Sequence, residues 1–381
     1  MTKLVISFSA DIQELRNNKL FDPAVSVRFP GAKWVSCLKE QALVRAEFLT
    51  VDVALARVKA NSLKASDILV VQHNVDSESD AVISAGASLF LTAMFESPLY
   101  APDFYDSIPR ASARSRWVMT FDGLSRGVQN NIPAYFPSFS LSDLLSCNVR
   151  PSWKDLRHAC MVVGNKYVIT KPPSFSDGLE YGLWWLAKSV RQGLFRGSWS
   201  SSYRYASCQL QDKRLEVIEE MLKRDRLDLF GAGWDKLYRL PPASRKKLAP
   251  LLSNRLVAPI RNKRECLSLY KFNICFENLA APGYITEKIF DAMLACAVPV
   301  YLGAPNIGSY VPVRCFIDAS RFSNMRDLAA YLETVSEAEA MNIIRAGQQF
   351  LRSEAGLQYS HESMASRVAD KISLFLNDEI G

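Results

Sequence analysis

The sequence predicts an α/β protein built as two successive parallel-sheet halves, and three observations carry that reading. Short runs rich in Val, Ile and Phe alternate with helix-like stretches over the first 150 residues, and the alternation restarts after residue 158. Between the two, "FPSFSLSDLLSCNVRPSWKD" breaks the periodicity. At 381 residues the chain is long enough for two cores, and its 49% hydrophobic and 22% charged content is neither disordered nor fibrous.

Taken in order, "KLVISFS", "AVSVRF", "DILVVQH" and "SLFLTAMF" read as strands of the first half. Between them "CLKEQALVRAEFLTVDVALARVKANS" and "DSESDAVISAGA" read as helices. In the second half "ACMVVGNKY" is a strand, "KRLEVIEEMLKRD" a helix, "LDLFGAGW" a strand and turn, and "RECLSLY" a helix. "KFNICFEN", the helix "TEKIFDAMLAC" and the strand "AVPVYLG" follow, and "MRDLAAYLETV" and "EAEAMNIIRAGQQFLRSE" are amphipathic helices. The expected organisation is therefore a domain over 1–150, a second over 158–350 and a helical segment over 351–381. Residues 168–211, dense in Pro, Ser and Gly at their flanks, read as an insertion with one short helix carrying Trp184, Trp185, Lys188 and Arg191. Such a helix either rests on a membrane surface or packs over its own domain.

No apolar run is long enough to span a bilayer, and the N-terminal patch meets Asp11 and Glu14 at once, as a first strand does and a secretory leader does not. Eight cysteines are scattered without a CxxC pair, and Cys275 and Cys296 sit in apolar runs; only three histidines exist. These features point to a reduced, cytoplasmic protein, with peripheral contact at the inner membrane as its variant, and away from a zinc or histidine metal centre. Net charge is +7, and residues 213–264 hold 14 Lys/Arg against 6 Asp/Glu. That excess suits an anionic partner such as a phosphate, nucleotide, nucleic acid or lipid head group, or a solvated helical face. The aromatic-plus-basic platforms of nucleic-acid modules are absent, so no nucleic-acid partner is expected.

The chemistry-bearing stretch is "YKFNICFENLAAPGYITEKIFDAMLACAVPVYLG", Tyr270–Gly303. Ligands of open parallel sheets bind beyond the carboxyl ends of strands, where Phe276–Lys288 lies. Thr286 is placed to cap the next helix, and Glu287 in its first turn suits the dipole. Lys288 does not suit it, and a diphosphate at the helix tip would turn that liability into attraction; the alternative is a lysine that snorkels into solvent. Glu277, at the exit of a buried strand, is expected to make structural hydrogen bonds.

The stretch resembles the α-1,3/4-fucosyltransferases, an inverting family that uses GDP-fucose, in "YKFNICFEN", "GYITEK" and "AVPVYLG". "FESPLYAPDFYD" is similar to the family's E-S-P element, and "RLEVIEEMLKRDRLDLFGAGW" to its arginine-led helix and strand. With no membrane anchor in view, the likeness is to soluble bacterial members. The resemblance implies two Rossmann-like domains facing across a cleft (the GT-B type), the N-terminal one for a glycan acceptor, lipid-linked acceptors included, and the C-terminal one for the nucleotide sugar. It implies Glu96 as the general base, Arg214 and Lys288 as neutralisers of the diphosphate, and Asn278, Tyr284 and Glu287 as contacts to donor hydroxyls or to the oxocarbenium-like sugar. Two cations on the diphosphate would stand in for a divalent metal, so no metal or other cofactor is expected. A glutamate ending an apolar strand, as in "LFLTAMFES", would have its pKa raised by desolvation, though many such residues are plain solvated edges. In the family the phosphate arginine follows an Asn at the first donor-domain strand closely, whereas here the insertion separates Asn165 from Arg214, leaving Arg204 and Lys213 as alternatives. Three other classes stay open: the same fold with a different donor sugar, a non-catalytic nucleotide-sugar-binding protein, and an RNA binder using 213–264.

Overall fold

The computed structural model describes residues 4–380 apart from 11, 27–28, 41–45, 74–75, 126–127, 146–150, 166–178, 180–181, 184–185, 188–204, 254–259 and 261. The expected roles of Trp184, Trp185, Lys188, Arg191 and Arg204 therefore lie outside the described residues, as does most of the 168–211 insertion. Among the described residues no helix is long and apolar enough to cross a membrane.

The first compact unit comprises Met1–Glu96, Phe104–Asp143 and Glu354–Gly381. Its six-stranded parallel sheet is built from β1 (Val5–Phe8), β2 (Glu47–Thr50), β3 (Ile68–His73), β4 (Ser88–Met94), β5 (Trp117–Phe121) and β6 (Asn131–Ala134), in the order β2-β1-β3-β4-β5-β6. Alternate residues face opposite sides of a strand. Thus Ile6, Phe8, Leu69 and Val71 pack with Trp34, Val35 and Leu38 of the helix Lys33–Glu40 and with Met364, Val368 and Ile372 of the helix His361–Ile380. Val5, Ile68 and Val70 face the other way, onto Val51, Ala54 and Val82. Both faces are covered, as an all-parallel sheet requires.

Three expectations change here. "AVSVRF" was expected as a strand, yet Pro23–Ser26 is helical: Pro23 presets the first helical φ, and the Asp22 carboxylate accepts from Ala24 N at 2.9 Å. The single helix expected over 37–62 is instead a helix, a strand and a second helix, because Glu47–Thr50 pairs in register with β1. Asn18 clamps that strand, accepting from Thr50 N at 2.8 Å and donating its own backbone N–H to Thr50 Oγ1 at 3.0 Å. Finally, a helical segment was expected over 351–381, whereas Glu354–Gly381 clusters with the first unit, and Ser97–Asp103 clusters with the second.

The second unit comprises Ser97–Asp103 and Leu144–Ser353. Its parallel strands are β7 (Arg157–Val162), β8 (Leu227–Phe230), β9 (Tyr270–Phe276), β10 (Val298–Leu302) and β11 (Ile317–Asp318), in the order β11-β10-β9-β7-β8. The chain leaves β7 for β8 on one side and returns to β9 on the other, so the sheet's switch point lies between the carboxyl ends of β7 and β9. Past β8 the turn runs close against the loop after β7: a Cβ on Gly231 (φ +127°) would sit 2.2 Å from Val163 O, so only glycine fits. That approach lets Val163 N donate to Phe230 O at 2.8 Å and Asn165 N to Ala232 O at 2.9 Å, carrying the pairing beyond the strands. Part of the basic excess of 213–264 is met inside this unit, where Lys213, Lys223, Arg224, Arg226, Lys247 and Lys263 pair with carboxylates.

Burial holds all three histidines neutral at pH 7. His73, His158 and His361 are each pushed down to about 4 from 6.5 by desolvation, aided by Arg226 at His158 and Lys33 at His361. From about pH 6.5 to 4 the unfolded chain binds protons that the folded chain refuses, so stability falls as pH falls through that window. Urea midpoints followed from pH 7 to 4.5 are expected to decline less steeply in His361→Gln than in the parent; equal slopes would contradict this assignment.

Candidate functional site

The site is organised by one carboxylate. Glu277 follows β9, its N–H donating to Leu302 O at 2.7 Å, and it is fully buried. A Cβ on Gly303 would lie 2.6 Å from Glu277 Cγ, so the glycine ending "AVPVYLG" makes room for this side chain. A buried charge must be paired and hydrogen-bonded. Glu277 Oε1 accepts from Thr286 N at 2.8 Å and from Thr286 Oγ1 at 2.9 Å, and Oε2 accepts from Lys288 Nζ at 3.0 Å. The expected structural role of Glu277 is thus what the geometry displays. Thr286 does occupy the N-cap position of the helix Glu287–Leu294, but its hydroxyl serves Glu277 and Lys288 instead of capping the helix.

Lys288 neither snorkels away nor faces the helix tip alone. Burial lowers its pKa, but Glu277 and Glu287 outweigh that and raise it above the ordinary value. Two of its three N–H groups are hydrogen-bonded, to Glu277 and to Thr286 at 2.8 Å, and Glu287 Oε1 lies 3.9 Å from the ammonium.

Arg214 reaches the same joint from the helix Gln211–Lys223. It is 5% exposed, donates from Nε and Nη2 to Phe276 O at 3.2 and 2.6 Å, and from Nη2 to Asn278 Oδ1 at 2.8 Å. Desolvation lowers its pKa against the pull of Tyr100 and Glu277. Asn278 Nδ2 donates to the Tyr284 hydroxyl at 3.2 Å, and Tyr284 shares a further hydrogen bond with Ser97. Tyr284 is buried, which pushes its phenol well above the ordinary value. The long separation of Asn165 from Arg214 closes in space. Residues after the insertion return along the 278–280 loop, with Leu210 N donating to Asn278 O at 3.0 Å. Asn165 and Arg214 then line one small cavity, with Tyr100, Gly164 and Trp234. Lys213 lies outside it, 45% exposed and paired with Glu216 at 2.9 Å.

A second, small cavity lies at the switch point and is lined by Lys288, Val162, Val163, Asn273, Phe276 and Lys263. Lys263 escaped the sequence reading. Its signal was the one that drew attention to Lys288, a cation opening a helix (Lys263–Ser268), here behind an Asn262 cap that accepts from Glu265 N at 3.3 Å. Glu287 lies 3.6 Å from Lys263 Nζ and 3.9 Å from Lys288 Nζ. Burial alone would raise its pKa, but the two ammonium groups hold it down at about 2.

Glu96 is the last residue of the first unit and Ser97 the first of the strap that belongs to the second. Glu96 is exposed, so the desolvated strand-end carboxylate expected from the sequence is not what the structure displays. Its backbone carbonyl accepts from the Tyr105 hydroxyl at 2.6 Å. The next residue, Ser97, meets Tyr284, and Tyr100 meets Arg214. Ser97 belongs to the E-S-P element, but its contact with Tyr284 was not anticipated, and neither was Tyr100 or Lys263.

Replacing Glu277 by Gln leaves Lys288 without its carboxylate in a buried setting. Urea unfolding is expected to show a loss of about 3 kcal/mol, of which more than half returns in Glu277→Gln/Lys288→Met. A double variant as unstable as the sum of its singles would refute the pairing.

Residues 199–343 match the family model described as glycosyltransferase family 10 (fucosyltransferase), C-terminal part. The chain is 39% identical over 80 residues to an alpha-(1,3)-fucosyltransferase of Helicobacter pylori, covering 21% of this chain and 17% of that protein. It is 30% identical over 141 residues to GDP-fucose protein O-fucosyltransferase 3 of Xenopus laevis, covering 37% and 28% respectively. The matches thus span well under a third of these relatives' lengths. The crystal structure of an alpha1,3-fucosyltransferase superposes with a TM-score of 0.54 at 14% identity, covering 98% of this chain and 90% of that one, which is a likeness of fold. That fold is the GT-B glycosyltransferase architecture of two parallel-sheet α/β domains. Residues 199–343 are therefore similar to the C-terminal part of the glycosyltransferase family 10 fucosyltransferases.

Proposed function

We propose that the protein transfers L-fucose from GDP-fucose to a hydroxyl of a glycan acceptor, with inversion at the anomeric carbon. The observation that carries the reading is the convergence of Arg214, Asn278, Tyr284, Glu287 and Lys288 on the carboxyl end of β9, inside the stretch that matches the family.

In the proposed reaction the acceptor oxygen attacks C1 of fucose on the face opposite the diphosphate, and the C1–O bond to the β-phosphate breaks with its electron pair going to GDP. Charge then develops on the leaving diphosphate, and preorganised cations in a partly buried site stabilise it far better than water does. Lys288 lines the switch-point cavity and Arg214 the cavity of Tyr100 and Asn165, and the two cavities share Val163. Two such cations supply the role that a divalent metal plays elsewhere, so turnover is proposed to need none. Asn278 and Tyr284 fix the wall of the site, and Glu287, held ionised, faces the positive charge on the sugar ring or accepts from its hydroxyls. Glu96 takes the proton of the attacking acceptor hydroxyl. Lipid-linked glycans are within the acceptor class proposed.

GDP release from GDP-fucose is expected with a panel of glycan acceptors and to persist in EDTA. Glu96→Gln is expected to lose about a hundredfold or more in kcat, and Lys288→Met to weaken GDP as well as GDP-fucose. Turnover retained in Glu96→Gln would remove that base, and stabilisation by UDP-sugars but not by GDP would replace the donor.

A further inference from the structure

We propose that Lys263 is a positioning residue of the donor site, which sets the place of the Glu287 carboxylate within it; the proposal rests on the donor reading above. Lys263 Nζ lies 2.5 Å from Asp291 Oδ2 and 3.6 Å from Glu287 Oε1. Glu287 and Asp291 are four residues apart on one helix, so both present to the same side. An ammonium at the first position of its own helix is repelled by that helix's dipole. The two facing carboxylates answer this, and they bind Lys263 to the neighbouring helix.

The three carboxylates of the site differ in reach. Glu277 is fully buried, while the side chains of Asp291 and Glu287 are 21% and 29% exposed. Glu287 is the one a sugar meets most readily. Of the two ammonium groups near it, Lys288 is the more distant, at 3.9 Å, and is already committed to Glu277 and Thr286. Lys263 is therefore the nearer ammonium; it acts beside the hydrogen bonds that the Glu287 carboxylate takes from its own N–H and from Thr286, and Asp291 in turn fixes Lys263. Burial would otherwise favour a neutral Glu287, which could donate where the sugar needs an acceptor. Lys263 also lines the switch-point cavity together with Lys288, so its ammonium stands in the wall that a donor would meet.

The test compares Lys263→Gln, Lys263→Arg and Lys263→Gln/Asp291→Asn for melting temperature, GDP affinity by calorimetry, and KM and kcat with GDP-fucose. Lys263→Gln is expected to keep GDP affinity within about twofold while losing about tenfold in kcat/KM for GDP-fucose. Lys263→Arg recovers most of that loss. The double variant recovers the melting temperature, because no unpaired Asp291 remains, but not kcat/KM. If the double variant regains kcat/KM with its stability, Lys263 is only a tie to Asp291 and the proposal fails. If GDP and GDP-fucose weaken equally, Lys263 touches the diphosphate itself and the positioning role fails. Should Lys263→Gln not fold, the double variant decides. A parent protein that binds no GDP-fucose at all overturns the donor reading, and that result is seen before any variant is compared.

Discussion

A buried carboxylate between two strand ends sets the terms for everything around it. Glu277 cannot shed its charge into solvent, so the chain must bring it an N–H, a hydroxyl and an ammonium, and Thr286 and Lys288 do so. The consequence is local and exact in register: the loop from β9 has to return so that residue 286 lies over residue 277, and the helix Glu287–Leu294 has to start there. Lys288 is thereby stationed at a helix N-terminus where its own helix repels it. Its ammonium and the backbone groups of the helix start are then presented at the carboxyl end of β9.

Charge at the site is nearly balanced before any ligand arrives. Arg214, Lys263 and Lys288 stand against Glu277, Glu287 and Asp291. A highly cationic empty pocket would hold any anion, whereas a balanced one responds to an anion that brings hydrogen-bonding geometry and to a sugar that uses Glu287. The buried Glu277 keeps Lys288 in place without saturating it, while Glu287 is left within a ligand's reach. On the proposed donor reading, binding and release of a dianion would need only small rearrangements, since the cations are already held by protein partners.

The β9–helix–β10 unit was legible because its signals are local. A continuous apolar run marks a strand buried on both faces, and polar residues gather only at its exits. The charge anomaly at Lys288 and the expected structural duty of Glu277 followed from the same short window. What escaped reading depends on partners distant in sequence. Glu47–Thr50 sits within a helical pattern and becomes a strand through β1 and Asn18, a tertiary override of local preference. Ser97–Asp103 follows a first-half strand yet clusters with the second unit, and nothing in its composition announces Tyr100 beside Arg214. Lys263 looked like one more basic residue in a basic region, because Asp291 lies 28 positions away. Asn165 and Arg214 looked too far apart because the strand-like pairing of the 208–210 return with the 278–280 loop is invisible in either segment alone.

The crystal structure of the protein with GDP bound would weigh these relations together. The diphosphate should lie within hydrogen-bonding distance of Lys288 Nζ and the Arg214 guanidinium, with Glu277 still accepting from Thr286. A diphosphate seated away from the start of the Glu287–Leu294 helix, or a Glu277 carboxylate displaced from Thr286 to admit it, would contradict the organisation described above.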